Sequence, residues 1–233
     1  MNVSRDDRLT QPFVLTPNEL EKLCNSVEKS AKIKYLKVEC ADKLDREFSS
    51  LPELLEFENP PNKAIESLRI YAHSKDITVW IRFYKDLIHN VSFSIEGPEE
   101  SVIPIIESLE HRLSAMKPWY ALIALPDYRG LLLEGICAFI ICIAIQRVIL
   151  SKLDNVQLPS YYALTGFLIA VVVLALLINF LVSKLRKHYF SSGVFAIGQG
   201  VVRHQNQDMI RTLIILGLLI EIIGGVTLAI LYG

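Results

Sequence analysis

Cysteine is scarce in this sequence, and its spacing suggests neither a metal site nor a disulfide framework. The chain has four cysteines among 233 residues, at positions 24, 40, 137 and 142. No CxxC pair or mixed Cys/His pattern of the kind that binds zinc is present. We therefore expect no metal and no disulfide scaffold.

Recognisable catalytic motifs are also missing. The five histidines are scattered, and no HExxH, GxSxG or nucleophile–base pattern occurs. Gly193, Gly198 and Gly200 form a GxxxxGxG pattern, but the Lys-Ser/Thr of a P-loop does not follow it. The sequence thus predicts a protein that is not an enzyme, with no catalytic residues and no cofactor.

An excess of basic charge is absent as well. Lys and Arg number 24 against 25 Asp and Glu, which gives a net charge of −1. Residues 1–128 carry a net charge of −5, whereas residues 129–233 carry +4 at less than half the charge density. Because phosphate binding requires a positive surface, a nucleic-acid partner is not expected. The change in composition predicts a first unit over 1–120, a linker at the membrane interface over 121–128 and a second unit over 129–233.

The second unit is rich in long apolar runs. A membrane-spanning helix needs about 20 apolar residues, and three segments reach that length. They predict an all-α transmembrane domain of three helices, which span about 131–150, 161–183 and 212–232. The loop 184–211 between the last two spans is basic, and its basic residues are Lys184, Arg186, Lys187, Arg203 and Arg211.

These basic residues predict an orientation, because basic loops remain on the cytoplasmic side of a membrane. The N-terminus and the loop 184–211 would be cytoplasmic, and the C-terminus would be outside. The expected location is an inner or plasma membrane, with lipids as partners. The loop could hold lipid phosphates or dock the acidic first unit.

A few polar and small residues interrupt the predicted spans. Glu221 would lie near the bilayer centre, where a carboxylate usually faces another helix or a water-filled path. Glu134 and Asn179 would both lie about 7 Å inside the cytoplasmic edge, and a hydrogen bond between them is a specific hypothesis. Small residues near Glu221 would allow close helix packing and assembly into homo-oligomers. They are Gly217, Gly224 and Gly225.

The first unit has the pattern of a small α+β domain. Thr16-Pro17-Asn18-Glu19 is a capping box with proline at the first helical position, and it predicts a helix over about 17–30. Four alternating apolar patterns predict strands, and the last three follow one another through short links. The predicted order is α-β-α-β-β-β-α, a four-stranded antiparallel sheet with helices on one face.

The other face of this sheet is the candidate binding surface. Alternation places five large polar or aromatic side chains on it: Tyr71, His73, Trp80, Arg82 and Tyr84. Aromatic residues and arginine are enriched in binding surfaces. The alternative is that Trp80 and Tyr84 pack beneath a second helix.

Together these features predict a non-enzymatic integral membrane protein whose cytosolic domain senses or binds a partner. The partner would be a protein or a small molecule that the sequence does not identify, and the three spans would anchor and oligomerise the chain. One alternative is a ligand-gated pore or membrane-disrupting effector, for example in prokaryotic anti-phage defence. Another is an accessory subunit of a larger membrane complex.

Overall fold

A computed structural model of the chain describes residues 1–85, 89–124, 177, 180–181, 183–186 and 188–232. Its strands are β1 (Asn2–Leu9), β2 (Phe13–Leu15), β3 (Lys32–Cys40), β4 (Asp45–Phe48), β5 (Ile65–His73), β6 (Thr78–Tyr84), β7 (Val91–Pro98) and β8 (Gly193–Phe195). Its helices are α1 (Pro17–Glu28), α2 (Leu51–Leu55), α3 (Glu99–Ala115), α4 (Ala121–Ala124) and α5 (Gln199–Tyr232), and a 3-10 turn covers Pro61–Lys63.

Six of the strands form one antiparallel sheet in the order β1-β7-β6-β5-β3-β4. Alternate side chains of each strand point to opposite faces. On one face they are apolar and fully buried, as Val38, Ile70, Ile81 and Phe93 illustrate. α1 and α3 pack against each other and against strands of the sheet on this face.

The first helix begins where the capping box predicts. The Thr16 hydroxyl accepts a hydrogen bond from the Glu19 backbone N–H at 3.2 Å, which satisfies one of the free donors at the helix start. The apolar stripe of α1 is buried, and so is that of α3. The helices and the central strands of the predicted α+β domain are therefore confirmed.

The predicted four-stranded sheet is wrong, because the sheet has six strands. The two edge strands, β1 and β4, lack the signal of a buried strand. β1 contains Arg5-Asp6-Asp7-Arg8 at its centre, and none of its eight residues is fully buried. β4 has only four residues, of which Phe48 alone is buried.

The predicted three-helix transmembrane domain is also wrong. Among the described residues, no helix is both long enough and apolar enough to cross a membrane. The third predicted span falls on the C-terminal half of α5, whose N-terminal half carries polar side chains that contact the α+β fold. The span 131–150 and most of 161–183 lie outside the described residues.

The same finding corrects the predictions of location, orientation and function that depended on these spans. The prediction of a multi-pass protein of an inner or plasma membrane, with its assigned orientation, is wrong for the same reason. The pore, effector and membrane-complex alternatives all required such spans. An apolar run shows only that a segment is hydrophobic. A helix buried in a protein core or against a partner can be as hydrophobic as a membrane span.

The segment 190–200 packs against the α+β fold, whose residues are distant from it in the sequence. β8 pairs in parallel with β2, with Val14 opposite Val194. Two asparagines that are completely buried hold this segment. The Asn90 side chain donates to the Ser192 carbonyl at 3.0 Å and accepts from the Gln11 N–H. The Asn59 side chain donates to the Ile197 carbonyl at 2.9 Å and accepts from the Ile65 N–H.

The first turns of α5 are held by a buried arginine. Arg211 is completely buried, and its guanidinium lies 4.1 Å from the centroid of the Tyr120 ring. It donates hydrogen bonds to the Tyr189 carbonyl and to the Gln207 side chain. Asp208 accepts a hydrogen bond from the Trp119 indole at 3.0 Å. This cluster joins α5 to the segment that follows α3.

The ion pair between Asp42 and Arg46, at the start of β4, predicts how the stability of the fold depends on pH. The Arg46 guanidinium donates two hydrogen bonds to Asp42, at 2.5 and 3.0 Å. This partner lowers the pKa of Asp42 from 3.8 to about 2. A lowered carboxyl pKa stabilises the fold at higher pH, and this contribution is lost as the pH falls from about 4 to about 2.

We expect an NMR titration of the Asp42 carboxyl to have its midpoint near 2. The substitution Arg46→Gln should return the midpoint towards 3.8. A midpoint that is the same in both proteins would contradict this account of the ion pair.

Candidate ligand-binding face of the sheet

The face of the sheet opposite α1 and α3, here called the open face, carries a row of aromatic rings. Tyr35, Tyr71 and Trp80 are paired across β3, β5 and β6. The centroids of the Tyr71 and Trp80 rings are 4.2 Å apart, and those of Tyr35 and Tyr71 are 5.2 Å apart. All three residues are half-buried. The row continues through Ser94 of β7 to Asp6 of β1.

A second row of side chains crosses the same face, displaced from the aromatic row by two residues along each strand, and it is mostly basic. The register places Arg8, Ser92, Arg82, Arg69, Lys37 and Glu47 in line across all six strands. Four of these six residues are cations. The guanidinium carbon of Arg82 lies 5.6 Å from the centroid of the Trp80 ring. The basic row therefore runs directly beside the aromatic row.

The two ends of the basic row differ in how their charge is balanced. Lys37 forms an ion pair with Asp45 at 2.7 Å, and Arg69 lies 3.8 Å from Glu39. Within the part of the chain that the structure describes, Arg8 and Arg82 form no ion pair, and both are exposed. Positive charge without an ion-pair partner is thus concentrated at the β1 end of the row.

A cavity of about 640 Å³ lies at this end of the open face. Trp80 and Tyr84 supply its aromatic wall, and Ser92 and Ser94 supply hydroxyl groups. Arg8, Arg82, Asp6 and His89 also line it. The His89 ring is within hydrogen-bond distance of the Thr10 hydroxyl, 3.2 Å away.

The chemistry of this cavity suits a ligand with two parts. The face of an indole ring stacks on flat π systems, which contributes about 1–3 kcal/mol for a nucleobase. Guanidinium groups bind carboxylates and phosphates through paired hydrogen bonds. Asp6 can accept hydrogen bonds from hydroxyl or amino groups.

All five side chains predicted for the binding face lie in or beside this cavity or the aromatic row, since the His73 ring is stacked on Tyr71 with their centroids 6.3 Å apart. Trp80, Arg82 and Tyr84 line the cavity, and Tyr71 stacks on Trp80. His73 is further along β5, where its ring lies 3.1 Å from the Thr78 hydroxyl. In the described part of the chain, the ring contacts of Trp80 are with Tyr35, Tyr71 and Arg82.

Sequence reasoning missed Asp6 and Arg8 on β1 and Tyr35 on β3. Tyr35 could have been predicted from the sequence. Along β3, Tyr35, Lys37 and Glu39 alternate with buried residues such as Leu36, so they lie on the same face. Asp6 and Arg8 reach the open face only because β1 pairs with β7, about 85 residues away in sequence. No local pattern in β1 signals that pairing.

The other residues singled out in the sequence lie elsewhere. Glu221, Gly217, Gly224 and Gly225 are exposed on α5, and a Cβ added at any of these glycines would meet no atom of the described residues within 4 Å. Lys184 is exposed, Arg186 and Arg203 line a second cavity, and Arg211 is buried. Glu134, Asn179 and Lys187 lie outside the described residues.

Groups that could hold a metal ion are not found in the part of the chain that the structure describes. The described cysteines, Cys24 and Cys40, are buried and free, and burial raises the pKa of the Cys24 thiol to about 12. A thiol that resists ionisation is a poor nucleophile and metal ligand. Comparison of the chain with protein-family models, with curated proteins and with solved structures found no match.

Proposed function

We propose that this protein is a binding module whose open face takes a small ligand with a flat ring and an anionic group. The ring would stack on Trp80, and the anion would lie between Arg8 and Arg82. We further propose that the module acts by binding rather than by catalysis.

The observation that carries this proposal is the neighbourhood of Trp80. An aromatic row and a basic row run side by side across the sheet, and they meet at a cavity whose two arginines have no ion-pair partner in the described part of the chain. Its volume of about 640 Å³ lies within the range of small-molecule sites. Two acidic residues of the face, Asp45 and Glu39, are engaged at its far end with Lys37 and Arg69, whereas Asp6 lines the cavity itself.

Adenosine monophosphate is a suitable probe, because it combines a flat ring with a phosphate. Calorimetric titration of the full chain should show saturable binding of this probe. Adenosine and inorganic phosphate, which each lack one of the two parts, should bind at least about fivefold more weakly. Loss of a stacked ring or of a charged hydrogen bond is worth about 1–3 kcal/mol, which corresponds to about 5- to 150-fold in affinity.

Matched variants locate the site. Arg8→Gln should weaken binding at least tenfold, whereas Arg5→Gln should not, because Arg5 lies on the same strand with its side chain on the helix side. Trp80→Leu should weaken binding, whereas Trp119→Leu should not, because Trp119 is exposed and lies outside the open face. Circular dichroism would verify that each variant is folded. Equal binding by Arg8→Gln and Arg5→Gln, or no binding of the monophosphate, would refute the proposal.

A further inference from the structure

A second cavity lies where the segment 186–207 packs against the α+β fold. Its volume is about 730 Å³, and Lys85 and Ile65 line it from the sheet domain. From the later segment it is lined by Arg186, His188, Arg203, His204 and Gln207. It is separate from the cavity on the open face and shares no lining residue with it.

The charge of this second cavity is entirely of one sign. Three cationic side chains and two histidines line it, and no aspartate or glutamate does so among the described residues. The nearest acidic residue of α5, Asp208, is engaged with Trp119 and Arg211. The hydroxyl groups of Ser191 and Ser192 donate to the carbonyls of Gly193 and Lys85. The lining that the structure describes therefore includes no acidic side chain.

Two nitrogen atoms of the cavity wall are buried and have no hydrogen-bond partner among the described residues. They are Nη1 of Arg203 and Nδ1 of His204. Burial lowers the pKa of both side chains, and for His204 the nearby Arg211 lowers it further, while Asp208 opposes the change. A buried polar group without a partner destabilises a fold, and a buried charge does so more strongly.

We propose that this cavity binds a small ligand through a phosphate or polyphosphate group, with Arg203, His204 and Lys85 as its donors. Guanidinium and ammonium groups bind phosphate through short, charge-assisted hydrogen bonds. The cavity is large enough for more than one phosphate, since small-molecule sites span about 300–1,000 Å³. This inference does not depend on the function proposed for the open face.

Pyrophosphate titrated into the full chain tests the proposal by calorimetry. We expect saturable one-to-one binding and a rise in the melting temperature with pyrophosphate concentration. Arg203→Gln should weaken the affinity at least tenfold. The same variant should melt at the same temperature as the wild type or higher when no ligand is present, because it removes a half-buried guanidinium whose Nη1 has no hydrogen-bond partner in the described part of the chain.

A pair of lysine variants provides the control. Lys85→Gln should weaken pyrophosphate binding, whereas Lys75→Gln should leave it unchanged, since Lys75 is exposed in the turn between β5 and β6. Arg8→Gln, on the open face, should also leave it unchanged. The absence of saturable binding, equal affinity of Arg203→Gln and wild type, or loss of binding in Arg8→Gln would overturn the proposal.

Discussion

The substitution Asn59→Ala should lower the free energy of unfolding by about 3–5 kcal/mol. Asn59 is completely buried, and its side chain forms hydrogen bonds with the backbone of Phe195, Ile197 and Ile65. Alanine would remove all three bonds; the Ile197 carbonyl would keep the Gly200 N–H as a donor, but the Ile65 N–H would lose its Asn59 acceptor. Asn59 also has a φ of +50°, a left-handed conformation that asparagine tolerates better than alanine does. Urea unfolding followed by circular dichroism measures the effect.

Asn62→Ala is the matched control. Asn62 lies three residues away in the 3-10 turn and is exposed. Its replacement should change the stability by about 0.5 kcal/mol or less. Asn59→Gly should be less damaging than Asn59→Ala, by about 1 kcal/mol, because glycine accepts the positive φ. A loss below about 1 kcal/mol for Asn59→Ala would show that the segment 193–200 is held by other contacts.

Gly198→Ala should lower the free energy of unfolding by about 3 kcal/mol or more. Gly198 has a φ of +53°, and a Cβ there would lie 2.5 Å from the carbonyl oxygens of Phe57 and Glu58. These are backbone atoms, and the Glu58 carbonyl also accepts the Gln199 N–H. The turn therefore cannot yield to the extra methyl group without losing its contact with the loop after α2. Thermal unfolding, compared with that of the wild type, measures the loss.

Gly217→Ala gives the opposite expectation on the neighbouring helix. Within the part of the chain that the structure describes, a Cβ at Gly217 of α5 meets nothing within 4 Å, and alanine is favoured over glycine in a helix by about 0.5–1 kcal/mol. This variant should therefore be as stable as the wild type or more so. Equal losses for Gly198→Ala and Gly217→Ala would contradict the close approach described here.

The sequence predicts those features of the fold that have a local residue pattern. The capping box at Thr16 locates the start of α1, and alternation in β5 and β6 places Tyr71 and Trp80 on the open face. It does not predict edge strands, whose hydrogen bonds need no apolar pattern. β1 joins the sheet through backbone pairing with β7, and this pairing brings Arg8 into line with Arg82.

The apolar C-terminal segments show a different limit. Hydropathy measures how strongly a segment avoids water, but it does not identify what surrounds the segment. α5 begins with polar side chains that are used inside the fold, as Arg211 over the ring of Tyr120 demonstrates. The second cavity likewise depends on a long-range contact, since Lys85 and Arg203 are more than a hundred residues apart. No spacing rule would have joined them.

The parallel pairing of β2 with β8 has a consequence for biosynthesis. Phe13–Leu15 leave the ribosome early, but their partner, Gly193–Phe195, is made about 180 residues later. At about 5–20 residues per second, β2 waits roughly 10–40 seconds for that partner. The sheet and its helices can form during this interval, so docking of the later segment is a late step in maturation. During the wait the buried side chains of Asn59 and Asn90 lack their acceptors, and a nascent chain stalled before residue 190 would expose that surface to chaperones.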